Sequence, residues 1–333
     1  MLGIESSCDD TSAAILRNGE ILSNIVAGQS VHKEFGGVVP ELASRAHQQN
    51  IVPVVSATLK KAGIDKKELS GVAFTRGPGL LGSLLVGVSF AKSLGMALDI
   101  PLMEVNHMQA HVLAHFIKGD QPSPEFPFIC LTVSGGHTQI VLVKDYFDME
   151  VIGQTLDDAA GEAFDKAAKL MGLPYPGGPL VDKYAKAGNP NAYKFPIANI
   201  PDYNFSFSGL KTSLLYFLRK ELDQNEKFIE ENLADICASF QFTIIDTLFK
   251  KLVKACKKYR VNQVAIAGGV SANSLLRSEL KRIGQKETWK TFIPPFEYCT
   301  DNGAMIAIAG YYKYLADDFV GQDIVPSARL KLH

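Results

Sequence analysis

One plan of segments occurs twice along the chain, and this repetition constrains the fold more than any other feature. The first copy opens on an apolar strand over residues 1–4, passes the polar turn Ser6-Ser7-Cys8-Asp9-Asp10-Thr11, and resumes as an apolar strand over 13–16. Asn18-Gly19 follows, a strong type I′ hairpin signal, and 21–26 reads as a third strand. The second copy opens on 128–133, turns through Ser134-Gly135-Gly136-His137-Thr138, and continues with strands over 140–143 and 149–154. Helical patterns come next, roughly over 38–62 and 158–171. Each copy then returns to a short buried strand and a glycine turn: Val72-Ala73-Phe74 before Gly77-Pro78-Gly79, and Val264-Ala265-Ile266 before Gly268-Gly269. A last strand leads in one copy from Pro101-Leu102-Met103 to His107, and in the other from Phe292-Ile293-Pro294 to Asp301. Internal duplication is the reading.

Such a plan predicts an α/β protein of two lobes, residues 1–125 and 126–333, each a mixed sheet with covering helices. Ligands in α/β folds sit outside the strand ends, where glycine turns let backbone N–H groups approach phosphate. By fold-level analogy this is the actin-like two-lobed fold of the hexokinase/Hsp70-like ATPase superfamily, with duplicated mixed-sheet domains. Residues 187–213 depart from the plan; their prolines, asparagines and aromatics predict an irregular insertion, a lid or partner surface.

Composition sets outer bounds. An apolar share of 47% and a charged share of 21% over 333 residues suit a globular chain with a sizeable core. The five scattered cysteines lack zinc-ribbon or redox spacing, which points to a reducing compartment. The N-terminus shows no basic segment followed by an apolar one, so the expected location is the cytoplasm. Residues 80–98 are apolar but diluted by Gly82, Ser83, Gly87, Ser89, Lys92, Ser93 and Gly95, a pattern for a buried core helix rather than a membrane span. A formal charge of −1 excludes a broadly basic nucleic-acid binder, so any RNA contact needs a local patch or basic partners. Lys250, Lys251, Lys254, Lys257, Lys258 and Arg260 read first as a solvated helix face and second as such a patch.

Chemistry concentrates in a few places. His107, His111 and His115 fall at helical spacing on one face, either a histidine-rich surface or a pair of ligands for one cation. Met108 stands where a zincin would need glutamate, so a protease would lack its base. Asp301 precedes an apolar helical pattern and suits either a cap or a ligand. If the duplicated halves face each other, the strands before His107 and Asp301 end on opposite lips of one cleft. Two imidazoles and one carboxylate then leave positions open for substrate, as in a catalytic metal site. The turn Thr132, Val133, Ser134, Gly135, Gly136 offers hydroxyls and backbone donors to phosphate, or is ordinary hairpin chemistry. Gly268-Gly269 runs into a helix whose N-terminus suits an anion or nucleoside, with Asn273 free for ribose or base. Asp165 lies on the 158–171 helix, shortly before Gly177-Gly178, where it could take ribose hydroxyls or face solvent.

Together these stretches resemble one family, the universal tRNA adenosine threonylcarbamoyltransferases, formerly described as O-sialoglycoprotein endopeptidases. The resemblance runs in order along nearly the whole chain. It covers residues 3–11, Gly36-Gly37-Val38-Val39-Pro40-Glu41-Leu42-Ala43-Ser44-Arg45, Gly77-Pro78-Gly79-Leu80, His107 with His111, and Ser134-Gly135-Gly136-His137-Thr138. It continues through 157–166, Tyr175-Pro176-Gly177-Gly178, Phe205-Ser206-Phe207-Ser208-Gly209-Leu210-Lys211-Thr212, 268–273 and 299–304. Asp10 and Asn106 depart from it, since relatives often carry glutamate and a second histidine there; His115 falls outside the pair.

The resemblance implies a metal held by His107, His111 and Asp301, one divalent ion per subunit, Fe2+ with Zn2+ or Mg2+ open. It implies an adenylate or ATP ligand and a substrate pocket from Thr132, Val133, Ser134, Gly135 and Gly136 with Asp165, Gly178, Asp182 and Asn273. The expected reaction moves a threonylcarbamoyl group from threonylcarbamoyl-AMP to the N6 amine of the adenosine 3′ of the anticodon in tRNA. Asp9 is the candidate for proton removal. Implied partners are tRNA, a paralogous actin-like subunit (TsaB-type) and a small ATPase (TsaE-type), with no membrane, and a docking surface within residues 44–62. Two competing readings are a metal-dependent endopeptidase and an actin-like ATP-binding scaffold.

Overall fold

The computed structural model describes residues 1–29 and 32–332, apart from the side chains of Lys33 and Glu34. In chain order the first elements are β1 (Leu2–Glu5), β2 (Thr11–Arg17), β3 (Glu20–Ala27), α1 (His32–Phe35), α2 (Pro40–Ala62), β4 (Val72–Gly77), α3 (Leu81–Leu98), β5 (Leu102–Asn106) and α4 (His107–Leu113). They build a five-stranded sheet ordered β3-β2-β1-β4-β5. Strands β1 to β3 form an antiparallel meander, while β1, β4 and β5 run parallel. The β2–β3 turn is the expected hairpin: Asn18 and Gly19 take φ of 52° and 88°, as a type I′ turn requires.

The next elements are β6 (Phe128–Val133), β7 (Thr138–Val143), β8 (Met149–Gln154), α5 (Ala160–Leu170), α6 (Gly178–Ala185), α7 (Ser208–Leu222), α8 (Phe228–Tyr259), β9 (Gln263–Ala267), α9 (Ser274–Glu287) and β10 (Lys290–Phe292). Their sheet has the order β10-β9-β6-β7-β8, which read backwards is the order of the first sheet. Here too the first two strands are antiparallel, and β6, β9 and β10 run parallel. The duplicated plan of the sequence is therefore a duplicated topology.

The expected boundary needs correction at its far end. The chain forms two compact units, one of residues 1–124, 146–149 and 294–333, the other of 125–145 and 150–293. The last helix, α10 (Gly303–Leu315), packs on the first sheet and not the second. Close backbone approach explains the choice. A Cβ on Gly3 would meet the Ala307 nitrogen at 2.4 Å, and one on Gly303 would meet the Ala13 backbone at 2.5 Å. Only glycine admits a helix so near a strand. Each unit has its own core. Leu2, Ile4, Ile15, Val72, Phe74 and Val88 anchor the first, while Ile129, Leu131, Phe164, Phe240, Leu248 and Ile266 anchor the second.

Two further expectations change in detail. The irregular insertion ends at residue 207, because Leu210, Leu214 and Leu218 repeat at helical spacing and bury one side of α7. Helix α3 is long and apolar enough to cross a membrane by length and composition, yet 33% of it is buried, along one face. That face is Ser83, Leu84, Gly87, Val88, Ala91 and Gly95, with Gly87 set against Ser6 and Gly95 against Leu102. Its small residues serve close packing as expected, but Leu81, Leu85 and Met96 stay exposed, so α3 is not wholly a core helix.

Candidate metal centre and glycine-lined turns

Strand β5 delivers the chain to α4, whose first residue is His107. Asn106 caps this helix, its Oδ1 accepting from the Met108 and Gln109 amides at 2.9 and 3.3 Å. One turn later comes His111, so both imidazoles leave the same helix face. Asp301 stands two residues before α10, and Asn302 is the cap of that helix, accepting from Met305 N at 3.0 Å. The capping role that Asp301 could have filled is taken, and its carboxylate faces the histidines. His111 Nε2 lies 3.2 Å and His107 Nε2 3.4 Å from Asp301 Oδ1. One donor atom from each residue falls within 4.8 Å of the others, and this is the metal-type cluster found among the described residues. His115 is not part of it.

All three ligands belong to the first unit. The strands before them lie apart, β5 in the first unit and β10 in the second, and the chain comes back after β10 to place Asp301 beside α4. The donor set fits a metal. Tetrahedral ligands about 2.0–2.2 Å from one ion stand roughly 3.3–3.6 Å apart, close to the two nitrogen–oxygen separations of 3.2 and 3.4 Å. His111 Nδ1 is buried without a hydrogen-bond partner. Two imidazoles and a carboxylate suit Fe2+ or Zn2+ chemistry.

Behind His107 stands a residue that received no role in the sequence reading. Glu5 is 0% exposed, and its Oε2 lies 3.0 Å from His107 Nδ1. It also accepts from Thr75 Oγ1 at 2.7 Å and from the Ser7 amide, and Ser7 Oγ is 3.2 Å from His107 Nδ1. This carboxylate–histidine pair fixes the ring and leaves Nε2 to a cation. The signal for it was a lone acid ending an otherwise apolar strand. Electrostatics follow the geometry. Burial works to raise Asp301, but the His107 and His111 imidazoles outweigh it and hold its carboxyl far below the usual range. Burial works to lower His107, yet Asp301 and Glu5 raise it well above an ordinary histidine. Asp9 is half-buried in the turn after β1. Its neighbour Asp10 is pushed up to about 7 by burial and by Asp9, Asp301 and Glu5.

The remaining site residues lie in the second unit. Thr132 and Val133 end β6, and Ser134 begins a tight turn in which Ser134 N donates to His137 O at 2.8 Å. Space beside Gly135, Gly136 and Gly269 is open, with nothing within 4 Å of where a Cβ would stand. Gly268, at φ 85°, sits against the Val133 carbonyl, so the two glycine turns adjoin at the strand ends. Asp165 Oδ1 accepts from Gly177 N and Gly178 N at 2.8 and 3.0 Å, and its burial raises it despite these bonds. Asp182 Oδ1 accepts from Ser274 Oγ at 2.7 Å.

Asn273 is not free as expected. Its Oδ1 caps α9 through Leu275 N and Leu276 N, and its Nδ2 donates to Gln241 Oε1 at 2.7 Å. Beside it a depression of about 360 Å³ is lined by Ala185, Lys186, Gln241, Ser274 and Leu275. Part of the basic stretch on α8 is engaged. Lys250 pairs with Asp246, Lys257 with Glu287, and Lys251 donates to the Ile200 and Asp202 carbonyls.

Two sheets of one topology, each with covering helices, define an actin-like ATPase fold, and a two-histidine, one-aspartate cluster marks this example of it. Solved structures agree on the fold. A HypF from T. kodakarensis superposes with TM-score 0.60 at 13% identity, over 98% of this chain and 49% of that one. The activator of the 2-hydroxyisocaproyl-CoA dehydratase from Clostridium difficile, with bound ADPNP, gives 0.50 at 15%, over 96% and 98%. Sequence comparison is more specific. The family model described as tRNA N6-adenosine threonylcarbamoyltransferase (TsaD) matches residues 20–308. Proteins of that name from Christiangramia forsetii and Porphyromonas gingivalis are 64% and 62% identical, each over 99% of this chain and 98% of their own. One from Clostridium botulinum is 50% identical over 100% and 97%. The chain belongs to the tRNA N6-adenosine threonylcarbamoyltransferase family, and it is a transferase.

Proposed function

We propose that the chain moves a threonylcarbamoyl group from threonylcarbamoyl-AMP to the N6 amine of the adenosine 3′ of the anticodon, in tRNAs reading codons that start with A. The convergence of His107 and His111 on Asp301, in a chain of this family, supports the reading most directly. A divalent cation held by those three side chains, Fe2+ in our reading, would supply Lewis acidity to the oxygens of the donor. Zn2+ and Mg2+ are the alternatives.

The N6 amine is a poor nucleophile, because its lone pair is delocalised into the purine, so positioning carries much of the catalysis. Glu5 orients His107 through Nδ1. Thr132, Val133, Ser134, Gly135 and Gly136 offer backbone donors to the phosphate of the adenylate, beside the open space at Gly135 and Gly136. Asp165, by holding the Gly177 and Gly178 amides, shapes the turn that meets the nucleoside, and Asp182 does the same for the start of α9. Asn273 contributes as the cap of α9. Asp9 is our candidate for taking the N6 proton. The acceptor base lies in a loop, so presenting it costs less than flipping a base from a duplex.

A near-neutral chain with part of its α8 basic stretch already paired needs help to hold tRNA. We assign that help to a paralogous actin-like subunit docking near residues 44–62, with a small ATPase, in the cytoplasm and away from any membrane. Mass spectrometry of tRNA nucleosides tests the reading, after incubation with a threonylcarbamoyl-AMP synthase, threonine, bicarbonate, ATP and the partners. Threonylcarbamoyladenosine should form, and His111→Ala should abolish it while circular dichroism stays that of a folded chain. A metal-free, active His111→Ala chain would overturn the role of the cluster.

A further inference from the structure

Gln109 lies on α4 midway between the two histidines. At about 100° per residue it stands roughly opposite them around the helix axis. It is 7% exposed, so its amide needs a partner. Nε2 donates to the Tyr146 carbonyl at 2.9 Å. The Tyr146 ring stacks on Tyr312 of α10, with centroids 3.8 Å apart and planes 17° from parallel. Its edge meets Phe116, in the 3-10 turn that follows α4, at 5.0 Å. Phe116 in turn meets Tyr312 at 6.1 Å. One residue, from the turn between β7 and β8, thus touches the back of the histidine helix, the turn after it, and the helix after Asp301.

Helix α4 has seven residues, too few to hold itself in place. Its rotation is set by what packs on it, and the tolerance is small. Side chains reach about 5–6 Å from a helix axis, so a rotation of about 2° moves a donor atom by about 0.2 Å, the margin of a metal–ligand distance. We propose that Tyr146 is a positioning residue for the metal centre, bracing α4 against α10 so that His107 and His111 meet Asp301 at bonding distance. The ring does the bracing through Tyr312 and Phe116, and the carbonyl does so through Gln109. The inference rests on reading the His107–His111–Asp301 cluster as a metal site.

The test uses the full chain with Co2+ as probe, whose visible absorption reports ligand geometry apart from any activity. Tyr146→Ala should weaken Co2+ binding about tenfold or more and alter the spectrum, while Tyr146→Phe, which keeps the ring, should restore both. Gln109→Ala should weaken binding in the same direction with the ring stack intact. Tyr203→Ala, which removes a ring beside Tyr259 in the second unit, should lower the melting temperature and leave Co2+ binding unchanged. A cooperatively melting Tyr146→Ala chain with wild-type affinity and spectrum overturns the proposal. Should that variant not fold, wild-type binding by Gln109→Ala overturns it instead. If wild type and His111→Ala bind Co2+ alike, the metal reading itself fails and takes this inference with it.

Discussion

A carboxylate with no exposed surface persists only among donors or cations, and Glu5 has the Ser7 amide, the Thr75 hydroxyl and His107 around it. Burial works to raise its pKa, and His107 outweighs burial and lowers it, so the group stays charged. Glu5→Gln should therefore weaken divalent-cation binding about 10–100-fold, measured by competition with a chelator of known affinity, with the thermal melt remaining cooperative. Unchanged affinity would make Glu5 a structural acid only. The histidine pair was legible because helical spacing alone puts two imidazoles on one face. Glu5 was not, since an acid at a strand end is as often exposed. Asn273 misled for a related reason: an asparagine before a helix looks the same whether its amide serves a ligand or the helix itself.

Short elements are placed by their neighbours, as the join between residues 187–207 and the rest of the second unit illustrates. Phe205 bridges to Thr155 at the end of β8, and Asp157 accepts from the Ser206 and Ser208 hydroxyls and from the Phe207 and Ser208 amides. Partial burial works to raise Asp157, but the Ser206 hydroxyl and these amides outweigh it and hold its carboxyl below the usual range. The sign follows. The stabilisation is complete above the unfolded value, about 3.9, and fades as pH falls through the lower folded value. Asp157→Asn should thus lower the melting temperature by about 2 °C near pH 7, and the gap should close once pH has fallen through the lowered folded value. A gap independent of pH would assign the loss to side-chain shape. Alternation and turn residues revealed nearly every strand. The start of α7 was hidden, because Phe205-Ser206-Phe207-Ser208-Gly209 reads as loop until the leucine spacing beyond it is weighed.

At the scale of the molecule, duplication was visible in the sequence and the exception to it was not. The twin sheets follow from repeated patterning, but nothing in the pattern of 294–333 says which sheet its helix covers. The clue lay in glycines: Gly3 on β1, and Gly303 and Gly310 on α10, each leave room for backbone or a methyl group of the other element. A chain ending at residue 293 should keep the second unit folded, while β1 and β4 exchange amide hydrogens rapidly and Co2+ binding at the cluster is lost. Hydrogen-exchange mass spectrometry and Co2+ titration check this. Protected β1 amides in the shortened chain would show that α10 is dispensable.

The returning helix also sets a timetable. His111 and Asp301 are separated by 190 positions, which at about 5–20 residues per second is roughly 10–40 s of translation. Throughout that interval the growing polypeptide exposes two imidazoles to the ions of the cell with no carboxylate to complete the chelate. If the cluster serves as a metal site, capture by all three side chains thus waits until Asp301 has been made, and the folded chain, not the nascent one, selects the ion.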